Sequence, residues 1–145
     1  MTFGDPLLLA PISSLLGIRP GMNVSIINAP DGFMEALLPL PEGASLLDSS
    51  KLGLDLQVLF TLKKLELVEK LTQMSRIMAV TGSIWVCFPT VGDGPQLPSE
   101  DFVRLAALEM GLHDTKKVML GPEWTALRLQ WKPRAPRLDL PRAEA

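Results

Sequence analysis

Asn28, Asp31, Gly32, Thr61, Lys63, Lys64 and Thr90 each follow a short apolar run, where polar groups would hold a small ligand by hydrogen bonds. The most informative of these stretches is Asn28-Ala29-Pro30-Asp31-Gly32. A phosphate-cradling loop at the end of a first strand needs glycines, so that backbone amides can approach and face the anion. Here Pro30 has no amide to donate, and Asp31 puts a negative charge where a pyrophosphate would sit. Pyrophosphate binding is therefore disfavoured at this loop. A nucleoside or S-adenosylmethionine-like ligand is less strongly excluded, because it brings no pyrophosphate. Asp48 stands where an acidic side chain after a second strand can hold a ribose diol, although a turn-forming aspartate accounts for it more simply. Lys63 and Lys64 are cationic candidates for an anion. They also open a helix whose outer face needs charge.

Other reactive side chains offer less. Cys87 lies inside the apolar run Ile84-Trp85-Val86-Cys87-Phe88 and reads as a small hydrophobe rather than a nucleophile. His113 is the single histidine and Cys87 the single cysteine, so no zinc-type ligand set and no intrachain disulfide are expected. A surface histidine at a helix end is the simpler account of His113. No catalytic residue, metal or cofactor is assigned on this basis. Trp124 and Arg128 share strand parity, and since Trp and Arg dominate interface hot spots they are candidate contacts for a partner protein. Packing against a neighbouring helix explains Trp124 equally well.

The 145-residue length fits one domain with a substantial core, and 47% hydrophobic against 21% charged residues favours a buried globular chain. That apolar balance also raises the expectation of an oligomer, such as a homodimer. A net charge of −2 argues against nucleic-acid binding, which needs a basic face. Residues 132–145 carry Lys132, Arg134, Arg137 and Arg142 against Asp139 and Glu144, and read as a flexible, Pro-rich basic tail after a single domain over 1–131. No apolar run is long enough to span a membrane, and the lone cysteine fits a reducing cytoplasm.

The elements expected to position these groups alternate between strand and helix. A helical lead-in starting at Asp5-Pro6 ends at Gly17, and Asn23–Ile27 reads as a buried strand. Asp31 is placed to cap a short helix over Phe33–Leu38. Ala44–Asp48 and Leu54–Phe60 read as the next strands, with a connection too short for a crossover helix. The clearest helix follows, with Leu67, Val68, Leu71, Met74 and Met78 on one face and Glu66 paired with Lys70 on another. Gly82 separates it from the strand Ile84–Phe88. Ser99 caps the next helix with Glu100 and Asp101 in its first turn, and Gly111 stops it. Thr115–Leu120 and Trp124–Trp131 close the domain as an antiparallel hairpin. The sum is an α/β, three-layer Rossmann-like fold with a mostly parallel sheet. Its ligand crevice would lie beyond the strand ends, among Asn28–Gly32, Thr61–Lys64 and the loop after Pro89.

Leu16-Gly17-Ile18-Arg19-Pro20-Gly21-Met22, Asn28-Ala29-Pro30-Asp31-Gly32-Phe33, Leu38-Pro39-Leu40-Pro41-Glu42-Gly43 and Glu123-Trp124-Thr125-Ala126-Leu127 occur in the order and spacing of a known family. The chain resembles, over roughly residues 14–131, the bacterial family numbered domain of unknown function three-zero-five-two. The resemblance implies a shortened, methyltransferase-like Rossmann domain and carries no activity. The family tends to have basic residues just after the fourth strand, where this chain has Thr90 and Val91, so no anion-binding role is carried to them. The leading expectation is thus a non-catalytic interaction or regulatory module on a degenerate Rossmann-like fold. The alternative is a nucleoside- or S-adenosylmethionine-binding protein, or a methyltransferase-like enzyme.

Overall fold

The computed structural model describes residues 11–92 and 94–133. The expected start of the helical lead-in at Asp5-Pro6 and most of the basic tail lie outside the described residues. Ten elements follow in order: α1 (Ile12–Leu16), β1 (Asn23–Ile27), α2 (Phe33–Leu37), β2 (Ser45–Leu46), β3 (Leu54–Phe60), α3 (Lys64–Ile77), β4 (Met78–Pro89), α4 (Glu100–Glu109), β5 (Leu112–Met119) and β6 (Trp124–Trp131).

The six strands form one sheet in the order β2-β1-β3-β4-β6-β5. The first four in that order are mutually parallel, and β6 runs antiparallel to both of its neighbours, so β5 again points with the parallel set. The expected hairpin of β5 and β6 is present, but β6 folds back into the gap between β4 and β5 rather than extending the edge. The short connection from β2 to β3 also finds its explanation. β2 covers only the first two residues of β1, Asn23↔Ser45 and Val24↔Leu46, so the chain has little distance to return before entering β3 on the other side of β1.

Alternation along the strands divides the core into two layers. Val58, Phe60, Trp85, Cys87 and Ala126 pack beneath Ile12 and Leu16 of α1 and Phe33 and Leu37 of α2. Leu59, Ile84, Val86, Leu127 and Leu129 pack on the opposite face beneath Leu67, Leu71 and Met74 of α3 and Val103 and Ala107 of α4. Trp85 ties the first layer together: its indole N–H donates to the Leu16 carbonyl at 2.8 Å, satisfying a group that the end of α1 leaves unpaired. In the second layer the buried Gln57 amide donates to the Met74 carbonyl at 3.1 Å, near the C-terminal end of α3.

Several expectations shift locally. Val68 is exposed, and the buried stripe of α3 is Leu67, Leu71 and Met74. Met78 belongs to β4, which begins directly at the helix end and runs through Gly82 instead of starting after it. Gly82 is required there by close approach, since a Cβ would lie 2.9 Å from the Leu54 carbonyl oxygen, beside the register shift between Leu54 and Leu56. β5 starts at Leu112, which places the half-buried His113 opposite Gln130 in the sheet rather than at a helix end. Ser99 caps α4 as expected, its hydroxyl accepting from the Phe102 N–H at 3.1 Å.

Candidate functional site

The order β2-β1-β3 means that successive connections leave β1 on opposite sides, which opens a crevice between the C-terminal ends of β1 and β3. A cavity of about 400 Å³ occupies this position. Its apolar lining is Pro30, Phe60, Leu62 and Trp124, and its polar lining Asn28, Thr61, Lys63 and Glu66. Phe60 sits between two aromatic neighbours, edge-on to Phe33 at 4.7 Å and to Trp124 at 5.0 Å between ring centroids.

The polar wall is organised around Glu66. Thr61 directly follows β3 and is 2% exposed; its hydroxyl accepts from the Lys63 N–H at 3.3 Å. The single hydroxyl proton faces two acceptors, Glu66 Oε1 at 3.0 Å and the Lys63 carbonyl at 3.1 Å. The ionised carboxylate is the stronger acceptor, so Thr61 holds Glu66. From the other side, Asn28 Nδ2 donates to Glu66 Oε2 at 3.3 Å. Asn28 can reach across because its backbone is left-handed (φ 61), a conformation that asparagine tolerates better than most residues. Glu66 lies in the first turn of α3, where the helix dipole favours a carboxylate, and the Lys64 N–H beside it is satisfied by the Gln96 carbonyl at 2.8 Å. No lysine or arginine among the described residues lies within ion-pair distance of Glu66. The expected pairing with Lys70 is therefore not made, and the carboxylate turns into the crevice instead.

Of the residues singled out in the sequence, Asn28, Thr61, Lys63 and Trp124 meet at this cavity. Asp31 and Gly32 lie in the adjoining loop and do not line it. Asp31 does not cap α2: the N-cap is Gly32 at φ 86, and the preceding turn is closed by Phe33 N–H to the Pro30 carbonyl. The chain needs a positive φ one residue after Asp31, which leaves the aspartate outside the cap position. Asp48 is exposed in a turn, its carboxylate accepting from the Ser50 N–H at 2.9 Å, and that bond holds its pKa below the usual aspartate value. It does not line the cavity. Arg128 packs at the middle of β6, where its guanidinium donates to the Thr115 hydroxyl at 2.8 Å, and it does not line the cavity. Cys87 is fully buried, and burial pushes its thiol pKa up strongly.

A second, larger groove of about 880 Å³ lies further along the same edge, between the end of β4, the start of α4 and β5. Thr90 borders it and exchanges a hydrogen bond with the Thr125 hydroxyl at 3.0 Å. Glu100 and Lys117, which line this groove, are paired, while Lys64, which lines it too, has no acidic side chain within ion-pair distance among the described residues. Lys117 pairs with Glu100 at 2.9 Å, Arg104 also binds Glu100, and Arg104 reaches Asp114 at 3.0 Å. Lys117 and Arg104 lower the pKa of Glu100, and Arg104 lowers that of Asp114. Among the described residues no three potential metal-ligating side chains gather, and no helix is long and apolar enough to cross a membrane.

Sheet order, the strand reversed within it and the crevice at β1 and β3 define an α/β protein of methyltransferase-like fold. The solved structures that resemble it agree. It matches the pyocyanin biosynthetic protein PhzM with a TM-score of 0.62 and 15% identity, covering 83% of this chain and 53% of that one. It matches the mitomycin 7-O-methyltransferase MmcR with a TM-score of 0.60 and 12% identity, covering 77% and 49%. An S-adenosylmethionine-dependent methyltransferase from Aquifex aeolicus is similar with a TM-score of 0.56 and 14% identity, covering 80% and 85%. The chain thus spans about half the length of the first two. No curated protein matches the sequence. Residues 42–133 match the family described as Protein of unknown function (DUF3052), and the chain belongs to that family.

Proposed function

We propose that this chain is a small-ligand-binding protein whose β1–β3 crevice takes a nucleoside-like molecule of the S-adenosylmethionine type. The observation that carries this reading is the cavity itself. It lies where the strand order reverses, with an aromatic wall suited to a flat ring system and a polar wall able to accept hydrogen bonds. Similarity to S-adenosylmethionine-dependent methyltransferases supports the same ligand class by analogy of fold. Glu66 beside the crevice and Asp31 in its loop oppose a pyrophosphate. The reading concerns binding and assigns no catalytic group.

A thermal-shift panel tests it. S-adenosylmethionine, S-adenosylhomocysteine and adenosine should raise the melting temperature, whereas NAD and ATP should not. A ligand at about 100 times its Kd adds roughly 2.7 kcal/mol, or several degrees for a domain of this size. A flat response across the adenosine-containing series overturns the reading.

A second reading, protein interaction, is favoured by the outer surface of α3 and α4. These helices pack side by side, with the Lys64 ammonium 5.2 Å from the centre of the Phe102 ring, yet leave Leu65 71% and Leu105 63% exposed, with Leu108 also outward. Light scattering of the intact chain and of Leu105→Glu tests for a homodimer through this face. A dimer dissociated by the substitution would support it, and a monomer at all concentrations would remove that partner.

A further inference from the structure

We infer that Glu66, together with Trp124 and Phe60, makes the β1–β3 crevice selective for a ligand that presents an organic cation, an alkylated ammonium or sulfonium group. This deepens the proposed binding reading and rests on the same cavity. The carboxylate is half-buried, and its two fixing bonds come from neutral donors, Thr61 at 3.0 Å and Asn28 at 3.3 Å. Those bonds orient the group without cancelling its charge. The contrast with Glu100 is direct, since Glu100 is matched by Lys117 and Arg104. Lys63 also lines the cavity, but it is exposed and outside ion-pair distance of the carboxylate. Trp124 and Phe60 supply aromatic surface to the same cavity. An anionic group and aromatic rings lining one cavity attract a cation twice over, by charge and by the ring quadrupole, while the rings accept its alkyl substituents. A bare metal ion gains little from such a wall, because it would keep its water. A phosphate would be repelled by the carboxylate. A neutral ligand of the same shape would gain only the apolar contact.

The test uses the intact chain and a simple cation, so that it does not depend on which nucleoside binds. Tetramethylammonium chloride is titrated while the Trp124 indole N–H and the Thr61 methyl are followed by NMR. tert-Butanol serves as the neutral shape control, and sodium chloride controls for ionic strength. Saturable shifts with tetramethylammonium alone, weakened about tenfold by Glu66→Gln, support the inference. Trp124→Leu should weaken them by about fivefold with Glu66 intact, which keeps the test informative if either variant alone is poorly folded. Equal responses to tert-butanol, no saturable shift, or shifts unchanged in both variants overturn it. The thermal-shift panel then separates the two readings. Stabilisation by adenosine without any tetramethylammonium response removes the cation selectivity and leaves nucleoside binding in place. A tetramethylammonium response with a flat nucleoside panel does the reverse.

Discussion

Two of the openings at the C-terminal edge of the sheet differ in the state of their carboxylates. The larger groove, beside β4 and β5, has its one described carboxylate, Glu100, bound to Lys117 and to Arg104 behind it, and its unmatched charge is the cation Lys64. The smaller crevice, between β1 and β3, has a carboxylate fixed only by neutral donors. Volume alone would favour the groove by about 880 to 400 Å³. For a cationic ligand electrostatics favours the crevice, because the Glu100 carboxylate is already matched and breaking that pair costs what the ligand gains, and because Lys64 in the groove would repel it. The Glu100 and Asp114 pairs therefore brace α4 against β5, and the crevice is the opening proposed for the ligand.

The largest effect that would test this difference is expected at Trp124. Trp124→Ala removes one wall of the crevice and the edge contact to Phe60. A buried Trp→Ala change costs about 3–5 kcal/mol; for this half-buried ring about 2 kcal/mol is expected, with ligand affinity reduced by roughly tenfold or more. Denaturant unfolding and ligand titration of the same variant measure both. A loss of stability with unchanged affinity would show that the wall is structural only.

Thr61→Val should come next. The swap preserves shape but deletes the hydroxyl that receives the Lys63 N–H and holds Glu66. Losing both bonds at a position 2% exposed should cost about 1–2 kcal/mol, and the carboxylate, then held by Asn28 alone, should bind the ligand several-fold more weakly. Thr61→Ser, which keeps the hydroxyl, should recover most of the affinity.

The contrast between the two openings was only half legible in the sequence. Asn23–Ile27, Leu54–Phe60 and Trp124–Trp131 have the observed strand bounds because their β-branched and apolar runs are closed by Pro, Gly and polar residues. Those bounds sufficed to bring Asn28, Thr61 and Lys63 to one crevice. Glu66 was hidden, because a glutamate four residues before Lys70 is what a solvated helix face looks like. Its role comes from Asn28, 38 residues away, and no local pattern records that contact. Trp124 was hidden in a different way. Strand parity placed it on one face, but that it closes the crevice depends on β6 inserting beside β4, with Pro89 opposite Trp124. Gly32 was seen as loop, while the positive φ that displaces Asp31 from the cap followed from the tight turn at Pro30.

Smaller effects should follow from the matched network. In Glu100→Gln the lost partner of Lys117 and Arg104 is partly exposed, so about 0.5 kcal/mol is expected at neutral pH. The folded pKa of Glu100 is lowered, first by its bond to Lys117, so its contribution is present above the unfolded glutamate value near 4.3 and is lost as pH falls through the lower folded value. Parent and variant should therefore differ at pH 7 and converge in acid, as followed by urea unfolding across pH. Ligand affinity at the crevice should stay unchanged. A substantial loss would mean that the two openings are coupled rather than separate.

The smallest change is expected for Asp48→Ala, and it bears most directly on how this fold holds a ligand. An acidic side chain after the second strand is the natural partner for a ribose diol in a full-length Rossmann sheet. Here β2 has shrunk to Ser45–Leu46, alongside only the first two residues of β1, while the crevice lies at the far end of that strand. Asp48 is carried into an exposed turn, and the Ser50 amide occupies one of its oxygens. With β2 this short, an acidic side chain after it does not line the crevice, and the carboxylate proposed to meet the ligand is Glu66, on the helix after β3. If that substitution of position is correct, Asp48→Ala should leave ligand affinity within about twofold of the parent, as for a distant and independent site, while Glu66→Gln should not. Isothermal titration of the two variants decides between the positions. Loss of binding in Asp48→Ala with Glu66→Gln unaffected would return the ligand to the second strand and make the β1–β3 carboxylate a structural tie between Asn28 and Thr61.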